Sequence, residues 1–183
     1  MISAESLNRL YRAPGGRLTP DGPDQPSVWL AIVTCMDHRL RPERSLGVGI
    51  GDAHVIRNAG GRASDDALRS LIIARSLLGV NEIVVIHHTG CRMMTFTDEQ
   101  LRDDLNQELG VDVSAIEFLS FTDASGSVRA DVERIRESPL IPDYIAVSGF
   151  VCNTENGHLE QIVADPLSDI PQARPRPATS RPR

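Results

Sequence analysis

The sequence has 183 residues, of which 40% are hydrophobic and 24% charged, a composition typical of one globular domain and unlike that of fibrous or disordered chains. Its basic residues are all arginines, which excludes enzymes that form a Schiff base with their own lysine and excludes nucleotide-binding P-loops. The net charge of −6 disfavours a nucleic acid partner, and the longest apolar run, six residues, is too short to span a membrane.

Three parts are predicted along the chain. Residues 1–26 are expected to form an N-terminal arm, a short helix followed by a loop rich in glycine and proline. Residues 27–165 are expected to form the folded domain, and residues 166–183 a disordered tail rich in proline and arginine. The first residues lack the basic segment and apolar run of a secretory signal, so we expect a cytoplasmic protein.

The strands of the domain are predicted from short apolar runs. The runs at 29–33 and 82–87 are typical of strands buried on both faces of a parallel sheet, and 54–57 is predicted to be a further strand. A strand, a helix and a second strand in this order imply a right-handed crossover between parallel strands. A hairpin is predicted for 144–152 and 158–163, because Glu155-Asn156-Gly157 between them suits a tight turn.

Three helices are predicted from capping residues and apolar spacing. The first begins at Ser64 or Asp65 and stops near Gly79, and the others run over 97–109 and 128–137. The predicted fold class is therefore α/β, with a mostly parallel central sheet flanked by helices and an antiparallel hairpin at one edge.

Two cysteines and a histidine stand where the predicted parallel strands end. Cys35 follows the first strand, and His88 and Cys91 follow the strand at 82–87. Open α/β sheets place their ligand sites at these ends. Two thiolates and one imidazole suit Zn²⁺ and leave a fourth tetrahedral position open. One zinc ion per chain is predicted here; the alternative is that these residues only pack in the core.

Asp37 and Arg39 alternate with Cys35 along the chain. In an extended backbone, alternate residues lie on one side, so all three would line one pocket. An aspartate paired with an arginine stays ionised, and its free oxygen can accept a hydrogen bond from a zinc-bound hydroxide or bind the metal itself. A surface ion pair is the alternative.

Two further polar groups are predicted to have structural roles. His87 precedes the candidate ligand on its strand and is expected to be packed or hydrogen-bonded and not bound to metal. Cys152 has no partner in a motif, and we expect it to be a buried thiol of an edge strand.

The chain resembles the β-class carbonic anhydrases over about residues 28–163. Three segments carry the resemblance in this order: Cys35-Met36-Asp37-His38-Arg39, Val55-Ile56-Arg57-Asn58-Ala59-Gly60 and His88-Thr89-Gly90-Cys91. A fourth stretch, Met94-Thr95-Phe96-Thr97-Asp98, is similar to the smaller bacterial members.

This resemblance implies a zinc enzyme that hydrates carbon dioxide reversibly to bicarbonate and a proton. The metal would be bound by Cys35, His88 and Cys91, and hydroxide formed from zinc-bound water would attack the substrate. Asp37 would have two states: it pairs with Arg39 while water completes the zinc shell, or it binds zinc itself and blocks the site. A homodimer or a higher homo-oligomer is implied in the same way.

Two positions differ from the usual pattern of the family. Arg92 follows Cys91 where glycine is common, and it can alter the backbone beside the metal, close the substrate path or attract bicarbonate. His38 occupies the middle of the Cys-x-Asp-x-Arg motif, where small residues are usual. We expect His38 to point away from the metal, because it lies between two inward-facing residues; a proton shuttle is the alternative.

Three functions are compatible with these residues. The first is hydration of carbon dioxide. The second is hydrolysis of carbonyl sulfide or carbon disulfide, because the same hydroxide can attack those carbons. The third is a zinc-binding module with little or no catalysis, a hypothesis that Arg92 motivates.

Overall fold

The computed structural model of the chain describes residues 29–48 and 53–165. The arm predicted over 1–26 and the tail predicted over 166–183 lie outside these residues.

The described residues form five strands that belong to one sheet. In chain order the strands are β1 (Leu30–Cys35), β2 (His54–Asn58), β3 (Glu82–His88), β4 (Ala146–Cys152) and β5 (Leu159–Val163). Across the sheet their order is β2-β1-β3-β4-β5. The first four strands in that order are parallel, and β5 is antiparallel to β4. The predicted α/β class, with its antiparallel hairpin at one edge, is confirmed.

Strands β1 and β3 extend further than the apolar runs predicted. All of β1 is buried, including Thr34, whose hydroxyl donates to the backbone oxygen of Ile86 at 2.8 Å. Cys35 and His88 are therefore the last residues of neighbouring strands and do not follow them in a loop. The ladder hydrogen bonds of the sheet fix the backbone of both residues, which a loop would not do.

Four helices connect or flank the strands within the described residues. They are α1 (Pro42–Leu46), α2 (Asp65–Leu77), α3 (Asp98–Leu109) and α4 (Ala124–Arg136). The Ser64 side chain caps α2, and a reciprocal capping box between Thr97 and Gln100 begins α3, as their sequences predict. Among the residues that the structure describes, no helix has the length and hydrophobicity of a membrane span.

Two helices differ from the sequence prediction. No helix or strand is predicted from the sequence for the segment of α1, which forms one short helix because proline suits the first helical turn and Gly47 ends the helix with a φ of +70°. Helix α4 begins four residues before the predicted start. Asp123 accepts hydrogen bonds from the backbone N–H groups of Ser125 and Gly126 and so caps a first turn whose serines and glycine have low helix propensity.

The two faces of the sheet carry separate apolar clusters. On one face, α2 and α4 pack side chains such as Leu71, Val128 and Ile135 against β1, β3 and β4. The opposite face is covered by side chains from shorter segments, among them Leu40, Met93 and Phe96. Cys35 and Cys91 belong to this second cluster, so the candidate ligands lie where the sheet is covered by turns.

Asp98, the first residue of α3, holds the long connection between α3 and α4 in place. The carboxylate of Asp98 accepts hydrogen bonds from the backbone N–H groups of Phe118, Leu119 and Ser120, at 2.8, 3.2 and 2.9 Å. Leu119 has a φ of +59°, which a non-glycine residue adopts only when its surroundings hold it. Burial alone would raise the pKa of Asp98, but the hydrogen bonds from Ser120, Phe118 and Leu119 outweigh burial and lower it to about 2.

Replacing this carboxylate is expected to destabilise the fold in a pH-dependent way. Asp98→Ala should lower the free energy of unfolding at pH 7 by about 2 kcal/mol, since three backbone donors lose a charged acceptor. The folded-state pKa lies below the unfolded value, so this contribution is complete above about pH 4 and is lost as the pH falls through the folded-state value. Urea unfolding should show the difference from wild type narrowing between pH 7 and pH 3.

Asp104→Ala, an exposed position on the same helix, is the control and should change stability by less than about 0.5 kcal/mol. A deficit in Asp98→Ala that stays constant with pH would contradict the assigned role of the ionised carboxylate.

Candidate metal centre

Two neighbouring strands and the turn after one of them bring three ligand atoms together. Cys35 ends β1, His88 ends β3, and Cys91 lies in the turn that follows β3. Their sulfur and nitrogen atoms all lie within 4.8 Å of one another, and all three residues are buried. The two Sγ atoms are 4.0 Å apart, close to the separation of about 3.8 Å that follows from two zinc–sulfur bonds of about 2.3 Å in a tetrahedron.

The hydrogen bonds of His88 leave one ring nitrogen available for a metal. Its Nδ1 lies 3.0 Å from the backbone oxygen of Thr89, which can only accept, so Nδ1 carries the proton of the neutral ring. The Nε2 atom is then an unprotonated acceptor. It is buried and has no hydrogen-bond partner in the described structure. A buried acceptor of this kind beside two thiols fits a zinc ion.

The two thiols influence each other's ionisation. The hydrogen bond with Cys91 lowers the pKa of Cys35, against the effect of burial, and smaller contributions come from the backbone N–H groups of Asp37 and Gly60. The same thiol pair and burial raise the pKa of Cys91. The surroundings of Cys35 thus already stabilise a thiolate, the form that binds metals.

Asp37 and Arg39 form a two-pronged ion pair beside the three ligand atoms. Arg39 donates from Nε to Oδ1 at 3.0 Å and from a terminal nitrogen to Oδ2 at 2.8 Å, and its backbone N–H also donates to Oδ1. The guanidinium also donates to the backbone oxygen of Gly90. Oδ2 of Asp37 is 4.0 Å from Nε2 of His88. These hydrogen bonds hold the pKa of Asp37 well below its usual range.

Arg57 supports the backbone that carries the cysteine and the aspartate. Its side chain donates to the backbone oxygens of Cys35 and Asp37, at 3.1 and 2.7 Å. The residues Arg57-Asn58-Ala59-Gly60 contribute to the family resemblance, but no role for Arg57 was predicted from them. The register of β1 beside β2, which puts Arg57 opposite Thr34, is what brings it to this position.

A glycine pair after β2 lies against the backbone of the first candidate ligand. Gly60 and Gly61 have φ values of +80° and +73°. A Cβ atom on Gly61 would lie 2.7 Å from the backbone nitrogen of Cys35 and 2.8 Å from the carbonyl carbon of Thr34. Only glycine allows both this conformation and this close approach.

Arg92 and His38, the two positions that differ from the family pattern, are both exposed in the structure. Arg92 begins a 3₁₀ turn, is exposed, and does not have a positive φ; Leu119 is the one non-glycine with a positive φ in the described part of the chain. The turn therefore does not require glycine at Arg92. The side chain of His38 is 93% exposed, so it points away from the buried cluster, as expected.

The two groups predicted to be structural are buried. His87 is fully buried and hydrogen-bonded. Cys152 is a buried free thiol, but its strand is not an edge strand, because β5 pairs with the outer side of β4. The prediction placed Cys152 at the edge because both arms of a hairpin look alike in sequence.

A cationic cleft of about 420 Å³ lies beside the ion pair. Arg39, Arg41 and Arg44 line it together with polar groups of the β4–β5 turn such as Asn153 and Thr154. None of the described residues that line it is acidic. Its charge favours small anions.

A family model described as carbonic anhydrase matches residues 30–159. The chain is also 41% identical over 140 residues to β-carbonic anhydrase 1 of Mycobacterium tuberculosis, an alignment that covers 76% of this chain and 85% of the relative. The chain belongs to the β-carbonic anhydrase family. The family predicted from the three sequence segments is thus confirmed, and this protein is a zinc-dependent carbonic anhydrase.

A solved structure and a second curated relative are also similar to this chain. A carbonic anhydrase crystal structure from Streptococcus mutans superposes with a TM-score of 0.73 at 46% identity and covers 75% of this carbonic anhydrase and 83% of that chain. A carbon disulfide hydrolase of Acidithiobacillus thiooxidans is 32% identical over 157 residues, with 75% of this chain and 77% of the relative covered. The predicted fold and zinc cofactor are confirmed.

The glycine contact yields a prediction for this carbonic anhydrase. Gly61→Ala should lower the free energy of unfolding by about 3 kcal/mol and reduce the zinc content, because the new Cβ would displace the backbone of Cys35. Gly110→Ala is the control. It measures the free-energy cost of a Cβ at a positive φ without the steric contact that a Cβ on Gly61 would make with Cys35. Gly110 has a φ of +66° with nothing within 4 Å, so this variant should lose about 1 kcal/mol. Chemical unfolding and zinc analysis measure both; equal losses would refute the steric argument.

Proposed function

We propose that Cys35, His88 and Cys91 hold the zinc ion at which this enzyme interconverts carbon dioxide and bicarbonate. Support comes above all from the buried, unpartnered Nε2 of His88, which faces two thiols beside an ionised aspartate. When bound there, zinc supplies the Lewis acidity that lets water act as a nucleophile near neutral pH.

Asp37 has the role of orienting the attacking water. An ionised carboxylate can only accept hydrogen bonds, so Asp37 would accept a hydrogen bond from one O–H group of the attacking water and so orient it. Arg39 fixes the carboxylate by three hydrogen bonds and keeps it charged. The second state implied by the family resemblance, with Asp37 bound to the metal, requires the carboxylate to leave Arg39 and stays a prediction.

The cationic cleft favours bicarbonate, the anionic partner in the reaction, over carbon dioxide. Bicarbonate is an anion and carbon dioxide is neutral, so Arg41 and Arg44 attract only the former; the charge of Arg39 is balanced by Asp37. Such a field raises the local concentration of bicarbonate and speeds its capture in the dehydration direction.

The enzyme is also proposed to act as a homodimer or a higher homo-oligomer. Met36, Leu77 and Tyr144, each more than 60% exposed, are side chains that an interface with a second copy would cover. Met36 directly precedes Asp37, which would bring such a contact near the site. The cytoplasmic location stays a prediction.

Zinc analysis and stopped-flow hydration on the same samples test the ligand assignment. The wild type should contain about one zinc ion per chain and accelerate carbon dioxide hydration. Cys35→Ser should lose most of the zinc and the activity, because a hydroxyl is a poor replacement for a thiolate ligand. Cys152→Ser, a matched change of a buried thiol outside the cluster, should retain zinc. Retention of zinc by Cys35→Ser would contradict the assignment.

A second function, hydrolysis of carbon disulfide or carbonyl sulfide, is favoured by the 32% identity to a carbon disulfide hydrolase. Parallel assays with carbon dioxide and with these sulfur compounds decide between the two functions. A higher kcat/KM for a sulfur compound would make its hydrolysis the favoured function. Stoichiometric zinc with no turnover of any of the three would favour the non-catalytic zinc module. In that case Arg92→Gly would test whether the arginine obstructs the site.

The ion pair gives a separate kinetic prediction. Asp37→Asn should lower kcat/KM about 100-fold, because the amide no longer acts only as an acceptor. Arg39→Lys keeps the charge but loses the two-pronged contact and should lower kcat/KM about tenfold.

Because Arg39 lowers the pKa of Asp37, the carboxylate stays ionised above about pH 5. The wild-type pH profile should therefore show no acidic limb from Asp37 between about pH 5 and 9, and stopped-flow profiles measure this.

A further inference from the structure

We propose that Asp131, on helix α4, is a positioning residue for the zinc site and acts through Arg62 and His87. This proposal rests on the proposed ligand set. It adds the residues that fix the backbone segments carrying two of those ligands, Cys35 and His88. The carboxylate lies in the interior of the domain, where it joins the turn beneath Cys35 to the strand that ends in His88.

Asp131 is the centre of a buried polar cluster. Its side chain is 3% exposed. It accepts a two-pronged contact from Arg62, at 2.8 and 3.2 Å, and its Oδ2 is 3.1 Å from Nε2 of His87. Burial alone would raise the pKa of Asp131, but the hydrogen bonds from His87 and Arg62 hold it below its usual value.

His87 links this carboxylate to the strand that carries His88. Its Nε2 faces two acceptors, Oδ2 of Asp131 and the backbone oxygen of Gly61, each at 3.1 Å, so Nε2 must carry a proton. The ring is fully buried and stacks on Phe121 with centroids 5.4 Å apart. The orientation of His87 is thereby determined at the position immediately before the candidate ligand.

Arg62 links the same carboxylate to the turn beneath Cys35. The backbone N–H and C=O of Arg62 are both hydrogen-bonded to the side chain of Asn58, at 2.8 and 2.7 Å. This clamp closes the Gly60–Gly61 turn. Gly61 lies against the backbone of Cys35. A shift of Arg62 would therefore be transmitted to the sulfur ligand.

Stability alone does not explain a cluster of this kind. A buried ion pair loses hydration that its attraction only partly offsets, so it is weak evidence for stability. This one also leaves Nδ1 of His87 buried without a hydrogen-bond partner in the described structure. What the cluster does provide is a fixed geometry, because one carboxylate joins two segments that each end at a candidate ligand.

Asp131→Asn tests the proposal, since it keeps the size of the side chain and removes its charge. An amide offers one acceptor oxygen where the carboxylate offers two, so it cannot hold Arg62 and His87 in the same way. Zinc affinity, measured by competition with a chromophoric chelator, should fall about tenfold or more. In the cobalt-substituted protein the thiolate-to-metal charge-transfer bands should shift or weaken.

Val132→Ala is the matched control. Val132 is the next residue of α4, is buried, and packs in the apolar core away from the polar cluster. Val132→Ala should lower thermal stability while the zinc affinity and the cobalt spectrum stay those of the wild type. Equal effects of Asp131→Asn and Val132→Ala on affinity and spectrum, at a temperature where both are folded, would overturn the proposal.

A second variant covers the case in which Asp131→Asn does not fold. Arg62→Lys retains the charge of the pair but not the two-pronged contact, and it should weaken zinc binding severalfold with the same spectral change. Wild-type affinity in Arg62→Lys would overturn the proposal. The ligand assignment is judged separately: if wild type and Cys35→Ser bind zinc equally, the proposed function fails, whereas this proposal alone fails if only the variants of the buried cluster behave as wild type.

Discussion

The parallel pairing of β1 with β3 is the constraint on which the rest of the site depends. The ladder puts Thr34 opposite Ile86, so Cys35, one residue further along β1, and His88, two residues further along β3, emerge at the same end of the sheet. A thiol and an imidazole at that position are removed from water and have few partners. A metal ion resolves this, because Nε2 of His88 has no hydrogen-bond partner in the described structure and a buried acceptor of this kind needs one.

Two aspartates hold arginines near this site, and their surroundings give them different roles. Asp37 lies at the surface of the cluster, where Arg39 keeps it charged and turned toward the reacting molecules. Asp131 lies in the core, where Arg62 and His87 surround it. The first carboxylate can exchange partners with solvent and substrate. The second has no such freedom, and it therefore suits the fixing of geometry.

The parts of the fold that the sequence predicted best are those with local causes. The caps of α2 and α3 depend on side chains within a few residues, and the apolar runs of β1 and β3 express burial directly. The missed first turn of α4 has a local cause too, but its serines and glycine contradict the helical pattern. Asp131 could not be found at all, because nothing near it in sequence distinguishes it from a surface aspartate of a helix.

The sequence by itself determined the chemistry, that is, two cysteines, a histidine and an Asp-x-Arg pair in the order of the β-carbonic anhydrases. The residue types and their spacing suffice for this because ligand preference is a property of the side chain. Only the tertiary structure decided which nitrogen of His88 is available, how Arg57 and Gly61 support Cys35, and that Asp131 lies behind both strands. The contacts of Arg57, Gly61 and Asp131 join segments far apart in the chain and arise only when the sheet and its helices pack together. The hydrogen bond from His88 to its neighbour Thr89 depends on how the backbone turns at the end of β3.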